Sequence, residues 1–270
     1  MKDRQTEEHR ARVPKGAKQA GKIRDRWSWV ESCVWTERML TALEDGVKGD
    51  KWFSLIDKVY RKANLHAAFQ RVKTNGGSAG VDHQTVEKFE KDLDKHVDRL
   101  SEMLSEEMYR PQAVRRVWIP KPGSRERRPL GIPTVRDRVV QGSLRQVMEP
   151  IFEREFAEHS YGFRPGRGCK DALRQVAHLL AEGYHHVVDA DLKSYFDTIP
   201  HDRLMERVRE KIADGRVLGL IEAFLNQQVL ETMGPWTPET GTPQGAVLSP
   251  YWRISTSTHW ITSWKRTDSI

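Results

Sequence analysis

The chain has 270 residues, of which 31% are charged and 37% hydrophobic, so it is long enough for one large domain or two small ones. No apolar run reaches the roughly 18 residues of a membrane-spanning helix, so no membrane partner is expected. The cysteine usage predicts a cytoplasmic protein. The formal net charge of +7 favours a polyanionic partner but does not identify one. Cys33 and Cys169 lie far apart and are expected to be reduced thiols.

The N-terminal part is expected to be an accessory region. Residues 1–26 are rich in Lys, Arg and Glu, which predicts a loose arm, and a helical lead-in is expected to follow up to residue 60. Over residues 80–111 the apolar positions recur at spacings of three and four, which predicts one helix that Pro111 ends. These positions are Val86, Phe89, Leu93, Val97, Leu100 and Leu104.

A basic β-hairpin is predicted next. The short apolar runs Val114–Ile119 and Leu130–Ile132 flank a Pro-Gly turn. Residues 110–128 contain seven Lys or Arg residues and one acid, Glu126. A solvated charged hairpin is the ordinary interpretation. A basic hairpin that carries Trp118 also suits a phosphate backbone, through charge together with base or sugar contact.

Two helices are predicted around the glycine- and proline-rich stretch YGFRPGRG. The first spans Arg136–Glu158 and the second follows the break. The first carries a buried stripe of Val139, Val140, Leu144, Val147, Met148, Ile151 and Phe152, and the second carries Leu173, Val176, Leu179 and Leu180.

The last patterned part combines one strand with two helices. The segment HHVVDADLKSYFDTIP predicts a strand, because β-branched residues come first and Pro200 closes it. Helices are predicted over Asp202–Ile212 and Val217–Leu230, before a glycine- and proline-rich turn. Helices thus alternate with few strands, which indicates the α+β fold class.

Three aspartates, Asp189, Asp191 and Asp197, lie in and just after the predicted strand. Side chains alternate along a strand, so Asp189 and Asp191 share a face. A carboxylate on an otherwise buried strand is costly unless it is paired or binds a cation. From the strand alone, a hydrogen-bonded turn aspartate and a Mg²⁺ ligand for phosphate chemistry are equally good interpretations.

Five segments in a fixed order favour the second interpretation: NGGSAGVD, WIPKPGSRERRPLGIPTVRDRVVQ, YGFRPGRGCKDAL, VVDADLKSYFDTIPHDRL and GTPQGAVLSP. From about Asn75 to Pro250 they closely resemble the successive blocks of group II intron-encoded reverse transcriptase/maturases. The resemblance implies a right-hand polymerase fold, of which the chain would hold the fingers and an incomplete palm over residues 61–250, with the thumb absent. It also implies an RNA-directed DNA polymerase, a nucleotidyltransferase, with a maturase role in intron splicing and mobility. The implied partners are group II intron RNA, a DNA primer or target, and dNTPs.

The resemblance assigns catalytic and metal-binding roles in the palm. Asp191 matches the catalytic aspartate that bridges two Mg²⁺ ions, and the carbonyl of Leu192 would be a further metal ligand. Phe196 matches the residue under the incoming sugar, where a flat ring leaves no room for a 2′-hydroxyl. Gln244 resembles the platform residue packed beside the nucleotide and the template.

The resemblance also assigns basic residues to nucleotide and template. Lys121 and Arg128 match the residues that hold the incoming triphosphate, although the hairpin tip also offers Arg125 and Arg127. The implied RNA or template contacts are Arg164, Arg115 and Arg116. For Arg164, packing within its own loop is nearly as good an interpretation.

One part of the family pattern is missing from these residues. After the PQG block the family has a second palm strand with a Tyr-x-Asp-Asp turn, whereas the only acid here after Glu239 is Asp268. One carboxylate strand cannot hold two divalent ions for in-line attack, so we expect an incomplete metal site and no polymerisation. Residues 251–270 are expected to be an aberrant tail. Permitted codons for them, read two bases later, give Leu-Ala-Asn-Ile-Tyr, which resembles the family sequence after LSP and suggests a frameshift near Pro250.

Two alternatives stay open beside this reading. The chain could be a non-catalytic RNA-binding fragment, or the reverse transcriptase of another bacterial retroelement such as a retron. The residues of the segments NGGSAGVD and RRPLGIPTVRDRVVQ favour a group II intron-encoded protein. In either case a sheet edge near Val187–Ile199 without its partner predicts low solubility or partial unfolding.

Overall fold

The structure is a computed structural model that describes residues 20–120, 123, 125–189, 195–231, 234–241 and 247–248. Helices and strands alternate as the α+β class predicts, and none of the described helices is long and apolar enough to cross a membrane. The elements are α1 (Ala20–Arg26), α2 (Glu37–Asp45), α3 (Ile56–Val59), α4 (Lys62–Asn75), α5 (Val86–Lys91), α6 (Leu93–Ser105), β1 (Val114–Pro120), β2 (Arg127–Ile132), α7 (Val135–Glu153), α8 (Cys169–Ala181), α9 (Tyr195–Thr198), α10 (His201–Lys211), α11 (Gly215–Leu225), β3 (Val229–Glu231) and β4 (Gly234–Trp236).

Helix α7 is the centre of the core. All seven residues of its predicted apolar stripe are buried, which confirms that prediction. Helix α4 packs closely against it, because Gly142 leaves room for Ala68, whose Cβ would lie 3.3 Å from a Cβ at residue 142. The Asn64 side-chain amide on α4 donates a 2.7 Å hydrogen bond to the Ser143 hydroxyl on α7. Polar and apolar contacts therefore fix α4 and α7 in one register.

Helix α7 ends at Glu153, five residues before the predicted end at Glu158. Beyond that end the side chain of Arg164 donates hydrogen bonds to the carbonyl oxygens of Ala157 and Ser160, at 2.6 and 3.0 Å, and so satisfies acceptors in the segment that follows the helix.

The predicted helix over residues 80–111 is two helices. Its apolar residues do lie on the core side, but Asp92 has φ −120° and ψ 34°, which interrupts the helical hydrogen bonds between α5 and α6. The Asp92 carboxylate instead accepts a 2.9 Å hydrogen bond from the Lys95 ammonium group. Helix α6 ends at Ser105, so Pro111 is not what ends it.

The four described strands form one sheet in the order β2-β1-β3-β4. The predicted hairpin is confirmed: β1 and β2 are antiparallel, with Trp118 opposite Pro129 and Ile119 opposite Arg128. Strand β3 runs parallel to β1, and β4 is antiparallel to β3. The helix predicted up to Leu230 is wrong at its end, since α11 stops at Leu225. The next residues instead pair with β1 and bury Val229.

The predicted strand over residues 185–200 is also wrong where the structure describes it. Residues 185–189 have no regular secondary structure, with Asp189 exposed among them, and residues 195–198 form α9. A strand needs a neighbour for its backbone hydrogen bonds, and no described strand pairs with residues 185–189. Val187 and Val188 are therefore 82% and 83% exposed.

Helix α8 adds to this exposed apolar surface. None of its residues is fully buried, and its four apolar positions, Leu173, Val176, Leu179 and Leu180, are between 39% and 63% exposed. Contiguous apolar surface on this scale promotes association with other molecules. The sequence predicted an unpaired sheet edge near Val187–Ile199. The described residues there form no strand of the sheet and Ile199 is buried, but Val187 and Val188 are exposed, as is the apolar face of α8.

We predict that the purified 270-residue chain self-associates through this surface. The double substitution Leu173→Glu and Leu180→Glu is expected to shift the chain towards monomer in sedimentation velocity, because charged side chains oppose apolar contact. The control Gln175→Glu and His178→Glu adds the same two carboxylates to another side of α8 and should leave association unchanged. A wild-type chain that is monomeric and melts in one sharp transition would contradict this prediction.

Candidate nucleic-acid interface

The segment that follows the predicted catalytic aspartate pairs with the start of the GTPQG block. The Gly241 amide donates to the Ile199 carbonyl at 2.8 Å, and the Thr240 hydroxyl donates to the Asp197 carbonyl at 3.1 Å. The His201 Nε2 lies 2.6 Å from the Gly241 carbonyl oxygen. Two of the five family-like blocks, distant in sequence, are therefore neighbours in space.

The far end of the GTPQG block docks against α7. The Val247 amide donates a 2.9 Å hydrogen bond to the side-chain oxygen of Gln141, and Leu248 is buried in the core. Gly241 and Val247 are held in this way, while Gln244 lies outside the described residues, as do Asp191 and Leu192. In the part of the chain that is described, no group of three or more His, Cys, Asp or Glu residues could hold a metal ion.

Two tryptophans and an arginine lie on one face of the β-sheet. The strand pairing puts Arg116, Trp118 and Trp236 on one face. The Arg116 guanidinium carbon lies 4.8 Å from the Trp236 ring centroid and 5.9 Å from that of Trp118. Glu231 joins the cluster, since its carboxylate accepts a 3.0 Å hydrogen bond from Trp118 Nε1 and lies 3.9 Å from the Arg116 guanidinium.

A cavity of about 250 Å³ lies between this sheet face and residues 197 and 238–241. Arg116 and Trp236 line it from the sheet, and Asp197, Glu239 and Thr240 are also part of its lining. The basic hairpin and the residues next to the predicted palm aspartate thus border one cleft. Aromatic rings beside an arginine form the kind of surface on which nucleobases stack.

The hairpin arginines divide between the two faces of the sheet. Arg127 pairs with Pro120 and shares the face of Arg116, whereas Arg128 pairs with Ile119 and lies on the opposite face. Both side chains are exposed. Lys121, the other predicted triphosphate ligand, is outside the described residues, so its position relative to Arg128 stays a prediction. Phe196 lies in α9, but its side chain is outside the described part.

Arg115 fastens the NGGSAGVD loop to the hairpin. Its guanidinium donates a 2.7 Å hydrogen bond to the Ala79 carbonyl, and Arg138 on α7 donates to two further carbonyls of that loop. Gly80 allows the close approach, because a Cβ there would lie 2.7 Å from the backbone nitrogen of Thr134. In this structure Arg115 therefore acts in loop packing, which leaves Arg116 and the hairpin tip as the stronger candidates for RNA contact.

Arg164 is also engaged inside the protein. Its guanidinium makes a two-nitrogen contact with Glu153, at 2.7 and 3.0 Å, and lies 5.5 Å from the Phe156 ring centroid. The side chain is almost fully buried. A template contact would require this buried ion pair to break, so the geometry favours the loop-packing alternative over template contact.

A buried polar network around Asp137 is not predicted by the sequence. The Asp137 carboxylate accepts hydrogen bonds from the Tyr109 hydroxyl at 2.6 Å, the Gln112 amide at 3.0 Å and the Gln227 side-chain amide at 3.2 Å. Burial raises the pKa of Asp137 despite these donors. Burial and the Asp137 charge raise the pKa of Tyr109 well above its ordinary value, so its hydroxyl stays protonated and donates. The signal was an acid three residues after the capping Thr134, in a helix that is otherwise buried.

Comparisons with known proteins agree with the geometry. The reverse transcriptase (RNA-dependent DNA polymerase) family profile matches residues 119–267, more than half of the chain. That range extends into residues 251–270, where the frameshift hypothesis stays a prediction. A solved structure, the partial Cas6-RT-Cas1–Cas2 complex, matches with a TM-score of 0.53 and 19% identity, over 79% of this chain and 35% of that one. This likeness shows the fold alone.

Two sequence relatives are closer. The group II intron-encoded protein LtrA of Lactococcus lactis subsp. cremoris is 35% identical over 187 residues, which are 68% of this chain and 31% of that protein. Protein YkfC of Escherichia coli (strain K12) is 41% identical over 146 residues, which are 53% of this chain and 38% of that protein. The chain thus spans about a third of the length of these relatives. It belongs to the reverse transcriptase (RNA-dependent DNA polymerase) family, and group II intron-encoded proteins are among its relatives.

Proposed function

We propose that residues 61–250 form the fingers and first palm segment of a group II intron reverse transcriptase/maturase, and that the hairpin sheet binds RNA. The observation that supports this most is the cleft. It sets the basic hairpin opposite the segment that follows the predicted palm aspartate, with the GTPQG block beside it. We further propose that the protein acts in the cytoplasm on intron RNA, a DNA primer or target, and dNTPs, without a membrane partner.

In this proposal the basic hairpin and the palm segment have different tasks. Lys121 and Arg128 neutralise and position the incoming triphosphate, while Gln244 supports the nucleotide and the template. Enzymes of this family generally use divalent metal ions. Asp191 and the Leu192 carbonyl would hold Mg²⁺, which when bound supplies positive charge to the attacking and leaving oxygens. Phe196 would exclude a 2′-hydroxyl by its bulk.

We predict that the 270-residue chain binds RNA but does not extend a primer. The test is primer extension on an RNA template with a DNA primer, dNTPs and Mg²⁺, beside an RNA-binding assay of the same preparation. A reverse transcriptase of known activity serves as the positive control. We expect binding without extension, because these residues lack the Tyr-x-Asp-Asp turn.

The substitution Asp191→Ala is the informative variant for this test. It should leave RNA affinity unchanged, since the basic hairpin supplies the binding. Mg²⁺-dependent extension by the wild-type chain that disappears in Asp191→Ala would show a complete catalytic site and contradict the prediction of an incomplete one. No measurable RNA binding by the folded wild-type chain would overturn the proposed function.

A further inference from the structure

We propose that Trp118 and Trp236, with Arg116 between them, form a stacking site for an unpaired RNA base. The inference rests on the proposed RNA binding and adds a specific subsite to it. The ligand class is single-stranded RNA, with a nucleobase rather than a phosphate against these rings, beside the cavity that Arg116 and Trp236 line.

The two rings are exposed and held in place before any ligand binds. Trp118 and Trp236 are 45% and 40% exposed, whereas most tryptophan side chains are largely buried. Strand pairing fixes both backbones, and the hydrogen bond from Trp118 Nε1 to Glu231 fixes one ring. Rigid exposed aromatic rings are the surfaces on which single-stranded nucleic acids stack their bases.

The charges of the cavity favour a base over a phosphate. Arg116 is already engaged by Glu231 and by both rings. The carboxylate-bearing Glu239 lines the same cavity. A phosphate there would face negative charge, whereas the exocyclic amino group of adenine, cytosine or guanine can donate a hydrogen bond to a carboxylate.

The neighbouring phosphate has a separate place on the same face. Arg127 is exposed and lies two residues along β2 from Pro129, which is the residue opposite Trp118. Two residues of a strand span roughly 7 Å. A base stacked on the tryptophans would therefore leave its phosphate within reach of the hairpin tip. This arrangement joins base contact and charge contact in one surface, and it requires an unpaired strand.

The test compares ring-removing and ring-keeping variants. Trp118→Leu and Trp236→Leu are each expected to weaken binding of an oligoadenylate 12-mer about ten-fold, which corresponds to the usual loss of one stacking contact. Trp118→Phe and Trp236→Phe keep a ring and should retain most of the affinity. Phe53→Leu removes an aromatic side chain that is 63% exposed elsewhere, and it should change nothing. The salt dependence should stay the same in every variant, because no charge is removed.

The outcomes separate the subsite from RNA binding in general. Wild-type binding with unchanged affinity in both Leu variants would overturn the stacking site and leave the proposed function standing. Equal losses in the Leu and Phe variants would point to damage of the sheet and also overturn it. A wild-type chain that binds no RNA would overturn both proposals. Oligouridylate and duplex RNA are expected to bind several-fold more weakly than oligoadenylate, and equal affinity for all three would contradict the base assignment.

Discussion

Replacing Asp137 by alanine is expected to lower the free energy of unfolding by about 3 to 5 kcal/mol, because three buried donors would lose their acceptor. These donors are the Tyr109 hydroxyl, the Gln112 backbone amide and the Gln227 side-chain amide. The network joins the segment before β1, helix α7 and the segment before β3. The loss is a large share of the stability of an ordinary domain. Urea unfolding of the wild type and the variant measures it.

An exposed acid provides the control for this prediction. Asp98 forms a 2.7 Å ion pair with Lys62 on the surface, where both side chains are about 60% exposed. Asp98→Ala should have almost no effect, since exposed ion pairs contribute little. A cost for Asp137→Ala no greater than that for Asp98→Ala would contradict the role of the buried network.

The stability should also depend on pH through Asp137. Burial raises its folded-state pKa above the unfolded value of about 3.9. The contribution of this titration to stability is therefore full below the unfolded pKa and is lost as the pH rises through the folded pKa. Asp137→Asn does not titrate there, so the advantage of the wild type over this variant should shrink as pH rises from 4 towards neutrality. An advantage that grows over that range would contradict the raised pKa.

Replacing Arg125, Arg127 and Arg128 by glutamine is expected to weaken RNA binding on the order of 100-fold at 0.1 M salt. The three side chains are exposed near the tip of the basic hairpin, where they can reach phosphates. Each lost phosphate contact to a single strand lowers the slope of log affinity against log salt by about 0.7, so the slope should fall by about 2. Fluorescence anisotropy at four salt concentrations measures both quantities.

A charge-matched control separates local contact from overall charge. Arg203, Arg207 and Arg209 lie on α10 and form ion pairs with Glu206, Glu210 and Glu222, respectively. Their replacement by glutamine also removes three positive charges from a protein of formal net charge +7, but at a different surface. We expect a small change in affinity. If both triple variants lose binding equally, the hairpin is not the RNA-contacting surface.

The sequence predicted the elements whose signals are local. The Pro-Gly turn between two apolar runs gave the hairpin of β1 and β2, and the spacing of apolar residues gave the buried side of α7. The five ordered blocks indicate the reverse transcriptase family, to which the chain belongs. Each of these inferences depends on a turn, a helical period or a motif that does not need the rest of the protein.

The features that failed depend on contacts across the chain. Residues 185–189 have the composition of a strand but find no partner among the described strands, and Val229 leaves the helical pattern because it pairs with β1. For Arg164 the sequence left template contact and loop packing open, and only its contact with Glu153, eleven residues earlier, favours packing. The sequence does not single out Trp236, because only the order of the strands in the sheet brings it beside Arg116. A single sequence shows a residue type but not its neighbours.

The central claim is that the sheet face with the basic hairpin is where RNA binds. The most direct measurement is photocrosslinking of the wild-type chain to single-stranded RNA that carries 4-thiouridine, followed by mass-spectrometric mapping of the crosslinked peptides. The account predicts crosslinks in β1, β2 and β4, including the peptides that contain Trp118 and Trp236. Crosslinks confined to α10, α11 or the N-terminal residues 1–60, with none in the sheet, would contradict it.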